Sequence, residues 1–248
     1  MRFLSASAQH IGSRESQEDS FGFGEDTPAH GGFLSIICDG MGGMQHGELA
    51  SQTAVRAFRE AYARKSAGES IPEALERCVF ETNQAVLDLA DDLGVLENIG
   101  TTLIATVATE AGLFYISVGD SGLFFVSQGE VSLLNRPHVF ANFLERAVEK
   151  GLISREDAER HPERESLTSF IGIELLEEVD RNPEPLPLRP GDTILLATDG
   201  LFNTLSPQEI AQCLEGPAAE WPDELVSETL AKACPHQDNV TVVTVTAE

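Results

Sequence analysis

Apolar positions along this chain recur with two different periods. From Gly47 to Lys65, Ala50, Ala54, Ala57, Phe58 and Ala61 return every three or four residues, which predicts one buried face of a helix. A second helix is predicted from about Ser70, with Pro72 in its first turn and Leu75, Val79, Val86, Leu89 and Leu93 as its stripe. Elsewhere short runs rich in β-branched and aliphatic residues predict strands: Phe33 to Asp39, Gly100 to Thr109, Leu113 to Val118, Leu123 to Ser127, Glu130 to Leu134, Thr193 to Asp199 and Val240 to Val245. Glu110-Ala111-Gly112 and Gln128-Gly129 separate neighbouring runs as hairpin turns. Val139 to Arg160 reads as charged helix, Leu167 to Ile173 as an apolar stretch, Asn182 to Gly191 as a Pro-rich extended connector, and Ser206 to Leu214 and Pro222 to Ala233 as short helices. Hairpin strands with helices grouped in pairs favour an α+β arrangement, sheet packed on sheet with helices outside, over a βαβ alternation.

Three acids stand where this apolar pattern breaks off. Asp39-Gly40 and Asp199-Gly200 each follow an apolar run, and Asp238 opens the last one. If these carboxylates converge, each pair at ~4 Å repels by about 4 kcal/mol at an effective dielectric of ~20. No lysine or arginine lies beside any of them in sequence, so a cation must compensate. Oxygen ligands without histidine or cysteine favour Mg²⁺ or Mn²⁺ over zinc.

Composition narrows the partners. The 248 residues are 42% hydrophobic, an ordinary globular fraction, and one domain over residues 1–248 is expected. With 41 acids against 16 bases the net charge is -25, which disfavours nucleic acid and anionic membrane surfaces. Neither a signal-peptide core nor a run of ~20 apolar residues is present, so a cytoplasmic location is expected. Cys38, Cys78, Cys213 and Cys234 are dispersed without a C-x-x-C spacing and read as reduced core thiols.

Seven blocks then recur in order: Arg14-Glu15-Ser16-Gln17-Glu18-Asp19, Asp39-Gly40-Met41-Gly42-Gly43, Gly47-Glu48-Leu49-Ala50-Ser51, Gly100-Thr101-Thr102, Gly119-Asp120-Ser121, Thr198-Asp199-Gly200-Leu201 and Gln237-Asp238-Asn239-Val240-Thr241. This set resembles the PPM family, the metal-dependent type 2C serine/threonine protein phosphatases, over about residues 5 to 246. The D-G-M-G-G block is similar to the bacterial branch.

The resemblance implies a four-layer α/β/β/α sandwich of two mostly antiparallel sheets, with two Mn²⁺ or Mg²⁺ ions between them and a flap over about 137–172. Asp39 would bridge both ions, Asp199 and Asp238 would complete one site, and Glu18 with the carbonyl of Gly40 would serve the other. A water bridging the ions would attack phosphorus in line. Asp19 would orient metal-bound water. Arg14 would grip the substrate phosphate; the alternative is a surface arginine paired with an acid such as Glu15. Asp120, with Asp199, would hold a third ion; the alternative is a turn acid capping a backbone amide.

Three positions depart from the family. Gly122 stands where an arginine usually follows Asp120-Ser121, Pro137-His138 where relatives have an acid before the flap, and Met41 where some carry a proton-donating histidine. His46, in the same loop, is the candidate substitute donor. His10, His30, His138, His161 and His236 show no ligand spacing. The implied partners are phosphorylated proteins, the targets of a serine/threonine kinase or that kinase itself, approached by a monomer. A pseudophosphatase acting as a binding module is the competing class. A metal-dependent phosphodiesterase or nuclease fits the charge of -25 badly and explains none of the ordered glycine blocks.

Overall fold

A computed structural model describes residues 1–24, 31–42, 46–96 and 98–248; His30 and the Gly43 of the second block lie outside them. In chain order the elements are β1 (Phe3–His10), β2 (Asp19–Phe23), β3 (Phe33–Gly42), α1 (His46–Ala63), α2 (Ile71–Leu93), β4 (Ile99–Thr101), β5 (Leu103–Thr109), β6 (Gly112–Val118), β7 (Gly122–Ser127), β8 (Glu130–Leu133), α3 (Ala141–Glu149), α4 (Arg155–Glu159), β9 (Asp180–Arg181), β10 (Thr193–Ala197), α5 (Asp199–Phe202), α6 (Pro207–Cys213), α7 (Trp221–Ala231) and β11 (Val240–Ala247). One sheet runs β1-β11-β10-β7-β8 and the other β2-β3-β5-β6-β9, with β4 also on β3. Every strand pairing among the described residues is antiparallel.

The continuous apolar runs follow from burial on both faces. Along β11, Val243, Val245 and Ala247 enter the core between the sheets, while Val240 and Val242 face the layer that contains Leu201, Ile210 and Leu225 of α5, α6 and α7. Strand β3 divides the same way. Ile37 faces the other sheet, and Leu34, Ile36 and Cys38 pack under α1 and α2 around Phe58, Leu75 and Val79. The expected four-layer α/β/β/α sandwich is therefore the observed architecture.

Local chemistry accounts for the helix ends. Ser70 and Glu73 form a capping box at the start of α2, with Pro72 in its first turn, and Gly94 closes it in the left-handed region at φ 69. Leu93, expected on the buried stripe, is 41% exposed because it sits in that last turn. The charged helix expected over Val139 to Arg160 is two helices: Gly151, at φ 68, ends the first and Ser154 caps the second. The strand expected from Gly100 is divided at Thr102 into β4 and β5. Cys38, Cys78 and Cys213 are buried, whereas Cys234 is exposed and is not a core thiol. Residues 137–172 leave after β8; bridge Val139↔Leu167 closes the segment on itself and bridge Thr101↔Ile171 ties its end to β4. Among the described residues, no helix is long and apolar enough to cross a membrane.

Leu196 is fully buried between the sheets and Leu175 is 69% exposed. Leu196→Ala should lower the unfolding free energy in urea by about 2–5 kcal/mol. Leu175→Ala should stay within about 0.5 kcal/mol.

Candidate active site

Strand parity brings the acids to one rim. On β3 the residues facing the other sheet are Phe33, Ser35, Ile37 and then Asp39, the last of the series; on β2 they are Phe23, Phe21 and Asp19, and Asp19 lies directly across from Asp39. Thr198 and Thr241 meet them from the opposite sheet, each donating its hydroxyl to Asp19 Oδ2, at 2.9 and 2.7 Å. Asp199 follows as the first residue of α5, so the apolar run of β10 turns into a helical turn at the acid instead of ending as strand.

Arg14, Glu18, Asp39, Gly40, Asp120, Asp199 and Asp238 all line a single cleft of about 260 Å³, joined by Met41, Thr102, Asn239 and Leu167 of the 137–172 segment. A larger cavity of about 350 Å³, beside Arg59 and Tyr62 on α1, has Glu60 as its one carboxylate among the described residues. The charge argument therefore selects the smaller cleft. His46 opens α1 and is not among the residues lining the cleft.

The main chain around these acids is tightly held. Asp39 donates its N–H to Thr102 Oγ1 at 2.9 Å, and its carbonyl accepts from Thr101 Oγ1 at 2.8 Å. A Cβ on Gly40 would overlap the Gly47 carbonyl and stand 2.6 Å from the Glu18 carbonyl, so only glycine lets β3 pass between them. Asn239 accepts from the Glu18 N–H at 2.7 Å and donates to the carbonyls of Ile11 and Ser16, which anchors the loop carrying Arg14 and Glu18. Arg14 pairs with Asp238 at 2.6 Å rather than with Glu15. The roles of Asn239, Thr198 and Thr241 escaped the sequence reading. Their signal was a polar residue inside or beside an apolar run.

Gly122 leaves room for packing where an arginine was expected: a Cβ there would press on the Phe124 ring, which meets Phe202 at a centroid distance of 6.0 Å. The Asp120 turn has other supports. Ser121 Oγ bonds Thr102 Oγ1 at 2.7 Å, and Asn135 donates to the Ser121 carbonyl at 2.9 Å.

Electrostatically the cleft is frustrated. Burial, then the charges of Asp19, Asp199 and Asp120, push the Asp39 carboxyl well above the ordinary range. Burial and Asp199 push Asp120 up to about 6, and burial with Asp238 raises Asp199. Glu18 is raised by burial, partly offset by Arg14. Asp199 Oδ1 and Asp19 Oδ1 are buried without any hydrogen-bond donor. Among the described residues, no three His, Cys, Asp or Glu side chains are drawn up as a ready ligand set. Asp238 instead takes Arg14, and Asp199 Oδ2 takes Asn203 at 3.0 Å. An all-oxygen donor group with a donorless buried Oδ1 fits a hard divalent cation.

Comparison with known proteins identifies the family. The pattern of the Protein phosphatase 2C family matches residues 7–233. The serine/threonine phosphatase stp of Listeria innocua is 31% identical over 215 residues, covering 86% of this chain and 83% of that protein. The serine/threonine phosphatase of S. agalactiae superposes with a TM-score of 0.86 at 27% identity, covering 100% of both chains. The catalytic domain of the phosphatase PstP, solved in complex with two manganese ions, superposes at 0.76 with 28% identity, covering 98% of this chain and 97% of that one. The chain belongs to the protein phosphatase 2C family.

Proposed function

We propose that this chain is a phosphatase that uses Mn²⁺ or Mg²⁺ to remove phosphate from phosphoserine or phosphothreonine on proteins. The observation that carries the reading is the gathering of Glu18, Asp39, Asp120, Asp199 and Asp238 beside Arg14 in one cleft. In our assignment Asp39 would serve both ions, Asp199 and Asp238 would complete one site, and Glu18 and the Gly40 carbonyl the other; Asp120 with Asp199 would hold a third. Bound there, the ions supply Lewis-acid activation of an attacking water and neutralise phosphate charge. The guanidinium of Arg14 grips two phosphate oxygens through its planar fork. Asp19, fixed by two threonine hydroxyls, orients the groups around Asp39. Water is excluded from behind by the core between the sheets, so charge interactions in the cleft are weakly screened.

A net charge of -25 favours phosphosites flanked by basic residues on the substrate protein. Such substrates are the targets of a serine/threonine kinase, and the reading places the enzyme in the cytoplasm as a monomer. Retention of Arg14 together with all the acids argues against a pseudophosphatase.

Purified protein with Mn²⁺ should hydrolyse p-nitrophenyl phosphate and a phosphothreonine peptide, and a chelator should stop both. Asp39→Asn and Asp199→Asn should abolish turnover; full activity in either would remove that residue from the metal assignment. Loss of charged hydrogen bonds worth about 1.5–3 kcal/mol predicts that Arg14→Ala raises KM about 10- to 100-fold with a smaller change in kcat.

A stability measurement tests the ligand set without turnover. Asp19, pushed to about 7, and Asp120, at about 6, hold protons in the folded state that the unfolded chain has released. Below the unfolded value of about 4 both states are protonated; above it the folded state binds more protons, so stability falls as pH rises toward 7. Exposed acids whose affinity is lowered, such as Glu209 at about 2, act in the opposite sense below that window. Chelated protein should therefore lose Tm between about pH 4 and 7, and the rise in Tm on adding Mn²⁺ should grow over the same range. A shift independent of pH would count against ionised carboxylates as the ligands.

A further inference from the structure

Gly119, at φ 99, reverses the chain just before Asp120, and a Cβ at that position would stand 2.7 Å from Thr102 Cγ2. One residue grips this glycine from both sides. The ring of His138 accepts the Gly119 N–H at Nδ1, 3.0 Å away, while the His138 N–H donates to the Gly119 carbonyl at 2.9 Å. The His138 carbonyl in turn accepts from Thr168 at 2.9 Å, and the flanking bridge Val139↔Leu167 sets Leu167 in the cleft wall. His138 is only 5% exposed, and burial lowers its proton affinity, which keeps Nδ1 free to accept.

We propose that His138 is a positioning residue, clamping the Gly119-Asp120 turn against the flap and so setting the Asp120 carboxylate for cation binding where the family's arginine is absent. The inference rests on the assignment of Asp120 made above. It gives a function to the Pro137-His138 departure: the ring supports the turn from the flap side, as Asn135 and the Thr102–Ser121 pair support it from the sheet side. Removing the acceptor leaves a buried Gly119 N–H unsatisfied and frees the turn to shift. Residues that orient a ligand in this way change metal affinity about 10- to 100-fold when replaced.

The test is a calorimetric Mn²⁺ titration of wild type, Asp120→Ala, His138→Leu, His138→Gln and His138→Asn, with the Mn²⁺ concentration for half-maximal p-nitrophenyl phosphate hydrolysis measured alongside. Asn can place its carbonyl oxygen where Nδ1 stands; Gln reaches instead toward the Nε2 position. The binding event lost in Asp120→Ala should weaken about tenfold or more in His138→Leu and His138→Gln, with the Mn²⁺ requirement rising in parallel, and His138→Asn should restore both. The proposal is overturned if Asn performs no better than Gln, if the variants lose Tm but keep the wild-type isotherm, or if Asp120→Ala removes no binding event. Should His138→Leu fail to fold, the Asn and Gln variants carry the same contrast. Wild-type protein that binds Mn²⁺ without hydrolysing phosphate would sink the enzymatic reading while the isotherms still decide the role of His138.

Discussion

The carboxylate of Asp19 joins the two sheets at the rim where the acids gather. It is 3% exposed, lies on β2, and accepts hydroxyls from Thr198 and Thr241 of the opposite sheet. Thr198 Oγ1 also accepts the Thr241 N–H at 3.0 Å, so one threonine closes its own sheet and reaches across to the other. Because Asp19 pairs directly with Asp39 and follows Glu18, fixing it fixes both neighbours. Burying an acid with one oxygen unpartnered is unfavourable in isolation. The arrangement makes sense as part of a site whose charge is balanced when cations are present.

The same logic explains why the charged cleft sits at the rim and the apolar core lies behind it. Along β3 the inter-sheet face passes from Phe33 through Ser35, which bonds Thr106 at 2.6 Å, to Ile37 and then Asp39. Charge therefore enters this face only at the rim, with Asp39. One residue deeper on that face is Ile37, fully buried, where a carboxylate would have no access to solvent or ion.

Much of this was legible in the chain because period and parity survive in the residue order. The stripe of α1, that of α2 up to its last turn, the box at Ser70 and the Gln128-Gly129 hairpin are local signals, and the structure keeps them. The strands gave less. Runs buried on both faces lose their alternation, so the facing of Asp39 became readable only once the second sheet was known to cover it. The break between α3 and α4 was written in Gly151 and Ser154 and was outweighed by the surrounding charged, helix-forming residues. Contacts such as Arg14 with Asp238, 224 residues apart, and His138 with Gly119 have no local signature at all.

Strand β1 pairs with β11 from Phe3↔Ala247 to His10↔Val240, and the loop after β1 is anchored by Asn239. The cleft thus joins residues as far apart in sequence as Arg14 and Asp238, 224 positions from one another. During synthesis, Arg14 and Glu18 emerge long before Asp238 and β11 exist to receive them. The loop carrying Arg14 and Glu18 is consequently anchored only once β11 has inserted between β1 and β10, which makes closure of the cleft a late folding event.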